Sequence, residues 1–287
     1  MKIKTFFRTI ILVGCLTMGL QPANGQTRFK ILTYNILYGL QKDSLIQDRY
    51  TDWVKKIAPD ILACQEMNYF TQKSMEKFAA RYGHDYAVIS KEDGFPTALS
   101  SGYPIVNVRK VVDNMWHAYI YARIRDIHVF VIHFSPHSLT KRRAEVKEIL
   151  AHAALIPENE KIVIMGDFNS LSGDDAPFYS RKYLELRQKS ETENAHIRNL
   201  DQGKLDFSVI QSLKDAGFKD AYRLFHSNFT VSCPTKKYSE NQTEGSRIDF
   251  MWLNPTMAKY AVRAEYIYDA DTDMMSDHYP LLVEFEF

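Results

Sequence analysis

The chain has 287 residues, 45% of them hydrophobic and 13% aromatic, which is enough apolar material for one large core. Its 36 Lys and Arg against 35 Asp and Glu leave a net charge of +1, so no broad basic field exists to hold nucleic acid non-specifically. No heptad, collagen-like or low-complexity repeat occurs, and three cysteines without a CxxC pair argue against structural zinc.

Lys2, Lys4 and Arg8 precede an apolar run from Ile10 to Leu20, and Pro22 and Ala23-Asn24-Gly25 follow. This order predicts a secretory signal peptide over residues 1–25, with a mature chain from Gln26 that is secreted or periplasmic. The run is too short for a lasting bilayer anchor, so the mature chain is expected to have no integral membrane span. Leu12-Val13-Gly14-Cys15 also resembles a bacterial lipobox, which would put a lipid on Cys15. The small residues at 23–25 favour plain cleavage. Loss of the first 25 residues leaves 33 basic against 35 acidic residues, a formal balance of −2.

Phe29 to Tyr34 reads as a strand ending on Asn35. A short amphipathic helix is predicted from Tyr50 to Ile57, then a buried strand Ile61–Cys64 with Gln65-Glu66 after it. Gln72 to Tyr82 forms a second helix, stopped by Gly83. Ile127 to Ile132 is strand-like and runs into His133. In the predicted helix Lys141–Leu155, Val146, Ile149, Leu150 and Ala153 recur at helical spacing. Ile162 to Met165 is a buried strand followed by Gly166-Asp167-Phe168-Asn169. Helices are expected over 176–189 and 206–216, the latter ended by Gly217. Ile248 to Leu253 is a strand, and Ser276-Asp277-His278 precedes the strand pattern of 281–287. The polar stretches 190–205 and 236–245 read as surface loops, and no linker divides residues 26–287. Strands mixed with helices throughout imply a layered α/β domain. Cys64 is expected to be buried. Trp116 and Tyr119 are expected in the core, His137 in a loop, and Lys141-Arg142-Arg143 either on a solvated helix face or along a basic groove.

The residues with chemical potential sit just past apolar strands, where side chains converge on a shared crevice. They are Glu66, Asp167 and Asp277, with Asn35, Asn169, His133 and His278. Any one alone is a turn or cap residue; their joint occurrence at successive strand ends is not explained that way. Oxygen-rich donors of this kind suit Mg²⁺ or Mn²⁺.

Tyr34-Asn35, Gln65-Glu66, His133, Gly166-Asp167-Phe168-Asn169, Arg247-Ile248-Asp249 and Ser276-Asp277-His278 together resemble the endonuclease/exonuclease/phosphatase superfamily, which is deoxyribonuclease I-like. Ser101-Gly102-Tyr103-Pro104-Ile105 and Gly217-Phe218-Lys219-Asp220-Ala221 are weaker matches, and Gly102 stands where many members carry arginine. The resemblance implies a four-layer sandwich: two packed mixed β-sheets flanked by helices. It implies a Mg²⁺-dependent phosphodiesterase or nuclease-type hydrolase acting by in-line attack of an activated water. Glu66 would be the main metal ligand, with Asn35 and Asp277 near it. Asp167 would deprotonate the water, Asn169 would hold a non-bridging oxygen, and His278, fixed by Asp249, would contact the phosphate. His133 would stabilise the transition state or help the leaving oxygen. The expected partner is a phosphate ester, in nucleic acid or in a lipid or sugar phosphate, bound by a monomer. A silent phosphate-binding relative is the alternative; it should have lost Glu66, Asp167 or His278, and all three are present.

Overall fold

The computed structural model describes residues 28–239 and 244–287. The expected signal peptide, Cys15 and the expected start at Gln26 lie outside the described residues. The chain begins with β1 (Phe29–Asn35), β2 (Ile61–Gln65), β3 (Tyr86–Ile89) and β4 (Ala98–Ser101). It continues through β5 (Ile105–Val111), β6 (Tyr119–Ile124), β7 (Ile127–His133), β8 (Lys161–Asp167), β9 (Lys219–Asp220) and β10 (Asp249–Leu253), and closes with β11 (Ala261–Tyr266) and β12 (Leu281–Phe285). Two six-stranded mixed sheets result, ordered β11-β12-β1-β2-β4-β3 and β5-β6-β7-β8-β10-β9.

Side-chain alternation along the strands explains the layering. On β1, Ile31 enters the core between the sheets. Its neighbours Leu32 and Tyr34 face outward and pack with Trp53 and Val54 of the helix Ser44–Ile57. On β7, Val129 and Val131 point to the same inter-sheet core, while Phe130 and Ile132 meet Val146 and Ile149 of the helix Leu139–Ala153. Each central strand is therefore buried on both faces. The architecture is the four-layer sandwich expected from the sequence.

Helix boundaries moved where caps, rather than periodicity, set them. The helix expected from Tyr50 starts at Ser44, because the Asp43 carboxylate accepts from the backbone N–H groups of Leu45 and Ile46. Thr71 and Ser74 form a capping box at the head of Gln72–Ala80. Ser138 caps Leu139–Ala153. The helix expected over 176–189 divides at Pro177 into a 3₁₀ turn, Gly173–Phe178, and the helix Arg181–Glu193, which takes up part of the expected loop 190–205. Strands β3, β4, β5, β6, β9 and β11 were not anticipated. β3, β5 and β9 lie at sheet edges, and β5 carries the exposed Arg109 and Lys110, so little apolar alternation marks them.

Gly166, like Gly39, is a glycine this packing cannot replace. Its φ is +138°, and a Cβ there would lie 2.0 Å from the Ile132 carbonyl oxygen and 3.1 Å from Gln65 Nε2. Gly166→Ala should therefore push β8 away from β7 and lower stability by about 3 kcal/mol, read as a lower urea midpoint. Cys64 is buried as expected, and Cys64 and Cys233 are both free thiols. Among the described residues no helix is long and apolar enough to cross a membrane.

Candidate active site

The strand ends of both sheets meet at one crevice. In the first sheet, β1 and β2 run parallel and set Asn35 beside Gln65, with Glu66 next in the chain. In the second, β7 and β8 run parallel and set His133 beside Asp167, and antiparallel β10 starts with Asp249 opposite Asp167. The turn before β12 is tied across the seam, since Ser276 Oγ donates to the Asn35 carbonyl at 2.7 Å and accepts from the His278 N–H at 3.2 Å.

Asp167 is the hub. Its Oδ1 accepts from the Asn169 N–H at 2.8 Å, and its Oδ2 accepts from Asn35 Nδ2 at 3.1 Å. His133 Nε2 and His278 Nε2 lie 3.5 and 3.9 Å from the same Oδ2. The Asn35 amide also donates to Glu66 Oε1 at 3.3 Å, so one side chain links the carboxylates of the two sheets. His278 donates from Nδ1 to Asp249 Oδ2 at 2.8 Å, and its Nε2 is 3.9 Å from Asp277 Oδ1. Asn169 Nδ2 donates to the Phe134 carbonyl at 3.0 Å. Every site residue expected from the sequence is thus brought to one place. Glu66 and Asn169 reach it with left-handed backbones, φ 60° and 47°, a strain that non-glycine residues bear mainly where geometry is functional.

Burial and neighbouring charge set the protonation states. Burial, with Asp249 adding to it and His278 opposing it, pushes the Asp167 carboxyl up to about 7. Burial would discharge His278, but the Asp249 carboxylate, with help from Cys233 and Asp277, outweighs it and holds the imidazolium well above its usual range. Burial, then His117, His278 and Lys91, drive His133 well below its usual range, so this ring is neutral. Burial raises Glu66, and the His278 charge and the Tyr38 N–H oppose it.

Two sets of potential metal ligands lie with their ligand atoms within 4.8 Å of one another: Cys233, Asp277 and His278, and Asp167, Asp249 and His278. Both depend on His278, which is charged and already bound to Asp249, so neither favours a cation. The Glu66 side fits better. Its carboxylate takes N–H donors from Tyr38 and Asn35 but, among the described residues, forms no ion pair with Lys or Arg. Asp277 has none either. Two partly buried carboxylates are the donors a hard cation takes; the Asn35 Oδ1, which accepts from the Leu37 N–H at 3.2 Å, would join them with the amide flipped.

Several contributors carry no linear signal. The Tyr38 N–H holds Glu66 Oε2 at 3.0 Å. His117 stacks on His133 with ring centroids 4.2 Å apart, and burial, Lys91 and His137 push it down to about 3. A cleft of about 370 Å³ opens beside Asn169 and His278, and His137, Arg142 and Arg187 help to line it. Trp116 corrects an expectation: it is 47% exposed, whereas Tyr119 is buried. Lys141-Arg142-Arg143 does not form a basic groove. Lys141 bonds the Asn114 carbonyl, Arg142 is buried, and Arg143 is held by Asp201 and Asp206 at 2.8 and 2.7 Å. Ser101 pairs with Ile61 at the start of β2, so Ser101-Gly102-Tyr103-Pro104 lies at the end of the sandwich opposite the crevice.

The sequence profile of the endonuclease/exonuclease/phosphatase family matches residues 32–278, from β1 to the histidine that Asp249 holds. The chain belongs to this family. It is therefore a phosphoesterase of the nuclease and phosphatase type. Solved structures agree on the fold. An AP endonuclease from Archaeoglobus fulgidus superposes with a TM-score of 0.67 at 20% identity, over 90% of this chain and 100% of that one. The 3′ phosphatase NExo from Neisseria, bound to a product DNA hairpin, gives 0.68 at 19% identity with the same coverage of both chains. The 3′-5′ exonuclease NExo from Neisseria meningitidis gives 0.65 at 19% identity, again over 90% and 100%. A search of curated proteins finds no match.

Proposed function

We propose that the chain is a Mg²⁺- or Mn²⁺-dependent phosphoesterase that hydrolyses a phosphodiester by in-line attack of water. The observation that carries this reading is the position of Asp167, a buried carboxylate within reach of both histidines and of the Asn35 amide that also holds Glu66. Asp167 takes a proton from the attacking water, whose oxygen forms the new P–O bond as the ester P–O bond breaks. The His278 imidazolium and the Asn169 amide face the non-bridging oxygens, and Asp249 keeps His278 charged and oriented. Neutral His133 offers Nε2–H to the phosphoryl group without repelling a cation. Glu66, Asn35 and Asp277 hold the metal, which supplies Lewis-acid stabilisation when bound.

The substrate is a phosphate ester, in nucleic acid or in a lipid or sugar phosphate, and the enzyme works as a monomer. Residues 1–25 act as a cleaved signal peptide, so the catalytic domain, 26–287, is secreted or periplasmic.

Turnover of bis-p-nitrophenyl phosphate is expected to need Mg²⁺ and to be abolished by chelation. Glu66→Gln should raise the Mg²⁺ concentration for half-maximal rate by about tenfold or more, as loss of one charged ligand implies. An unchanged Mg²⁺ titration in Glu66→Gln would remove Glu66 from the metal site. Absence of turnover with metal supplied would leave a silent binding module.

A further inference from the structure

The cleft beside Asn169 and His278 holds two guanidinium groups that form no ion pair with any described carboxylate. Arg142 is only 3% exposed. Its Nη1 donates to the Ser135 carbonyl at 2.9 Å and to Asn199 Oδ1 at 2.7 Å, and its Nε has no partner. A buried cation held only by neutral acceptors is costly unless an anion arrives. Burial, with Arg187 adding to it, pushes Arg142 down to about 10, against the opposing charges of Glu145, Asp206 and Asp167. Arg187 spends one Nη2 bond on Tyr183 Oη at 2.8 Å and lies over the Tyr183 ring. Ser170, also in the lining, has a buried hydroxyl without a partner. Of the acids at the rim, Asp206 is committed to Arg143 and Ser208, and Glu244 to Ser180.

One side of the cleft is tied down by backbone bonds. The segment after the helix Arg181–Glu193 is stitched to the chain before Leu139: the Arg198 N–H donates to the His137 carbonyl and the Leu139 N–H to the Arg198 carbonyl, both at 2.7 Å. Ile197, Asn199 and Leu200 of that segment form one side of the cleft. Its volume of about 370 Å³ is near the lower end for small-ligand sites.

We propose that this cleft is a second anion subsite, and that the substrate is a small phosphate ester carrying another acidic group a few bonds from the scissile phosphorus. The assignment rests on the phosphoesterase reading for the first phosphate. Arg187 and Arg142 take the second anion, Ser170 and Asn199 offer further polar contacts, and Tyr183 braces Arg187.

The test is calorimetry on the full chain with Mg²⁺ fixed, using two ligands that resist hydrolysis, propylphosphonate and propane-1,3-bisphosphonate. The bisphosphonate should bind at least about tenfold tighter, as one charge-assisted contact implies. Arg187→Gln should reduce that ratio to less than about threefold, and so should Arg142→Lys if it folds. Equal affinities for the two ligands, or a ratio that Arg187→Gln leaves intact, would overturn the subsite. If Arg187→Gln weakens a tetrathymidylate by the same factor as the bisphosphonate, the cleft serves a strand and the small-ester assignment falls. Calorimetry needs no turnover, so failure to hydrolyse bis-p-nitrophenyl phosphate would count against the catalytic reading alone.

Discussion

Asp167→Asn is expected to lower kcat by about 10²–10⁴-fold, the range for loss of a positioned general base, while circular dichroism and the urea midpoint at pH 5 stay close to wild type. The amide keeps the shape and can still meet Asn35 and the Asn169 N–H, but it cannot take a proton from water. The pH profile separates this from a steric effect. The Asp167 carboxyl is pushed up to about 7, chiefly by burial, so its ionised form is lost as pH falls. The wild-type kcat/KM should therefore decline on an acidic limb at or below about pH 7, and the residual rate of Asp167→Asn should lack that limb. The stability effect has the opposite sense. A carboxyl whose folded pKa is raised contributes stability at low pH that is lost as pH rises through about 7. Metal-free Asp167→Asn should then resist urea better than wild type at pH 8 and no better at pH 4. Equal pH profiles for the two proteins would remove Asp167 as the base.

Arg247→Ala is expected to cost about 3–5 kcal/mol of folding stability, the usual penalty for stranding the partners of a buried ion pair. Arg247 is fully buried; its Nε donates to Asp175 Oδ2 at 2.8 Å and its Nη1 to Asp220 Oδ2 at 2.6 Å. The guanidinium also lies 4.5 Å from the Phe250 ring centroid. Arg223 keeps a second contact to Asp175, so the loss falls most heavily on Asp220. Urea unfolding reads the change. An unfolding free energy within about 0.5 kcal/mol of wild type, the range of ordinary surface substitutions, would contradict the packing. Arg247 stands two residues before Asp249, so this network also anchors the start of β10 and the carboxylate that aligns His278.

The strand ends that carry chemistry were legible because each follows an apolar run with a sharp polar boundary. Ile162–Met165 before Asp167 and Ile127–Ile132 before His133 are such cases. Their order along the chain pointed to the family, and the family to four layers. The edges of the sheets were not legible. β5 is exposed on both faces from Val106 to Lys110, and β9 is two residues long, so neither leaves a hydrophobic period. Arg142 was misread for a related reason. Its neighbours Lys141 and Arg143 are half-buried with partners of their own, while Arg142 turns inward to the Ser135 carbonyl and Asn199, which lies far along the chain. The stacking of His117 on His133 joins positions that no local pattern connects.

Asn35 spans the join between the two sheets, touching Glu66 on one side and Asp167 on the other. The halves of the chemistry therefore ride on separate slabs, and their spacing is inherited from the interior core that contains Ile31 of one sheet and Val131 of the other. A void opened deep in that interior would let the slabs slip by a fraction of an ångström and detune the mouth from a distance. Turnover in this protein is thus a sensitive gauge of how well its middle layer is filled.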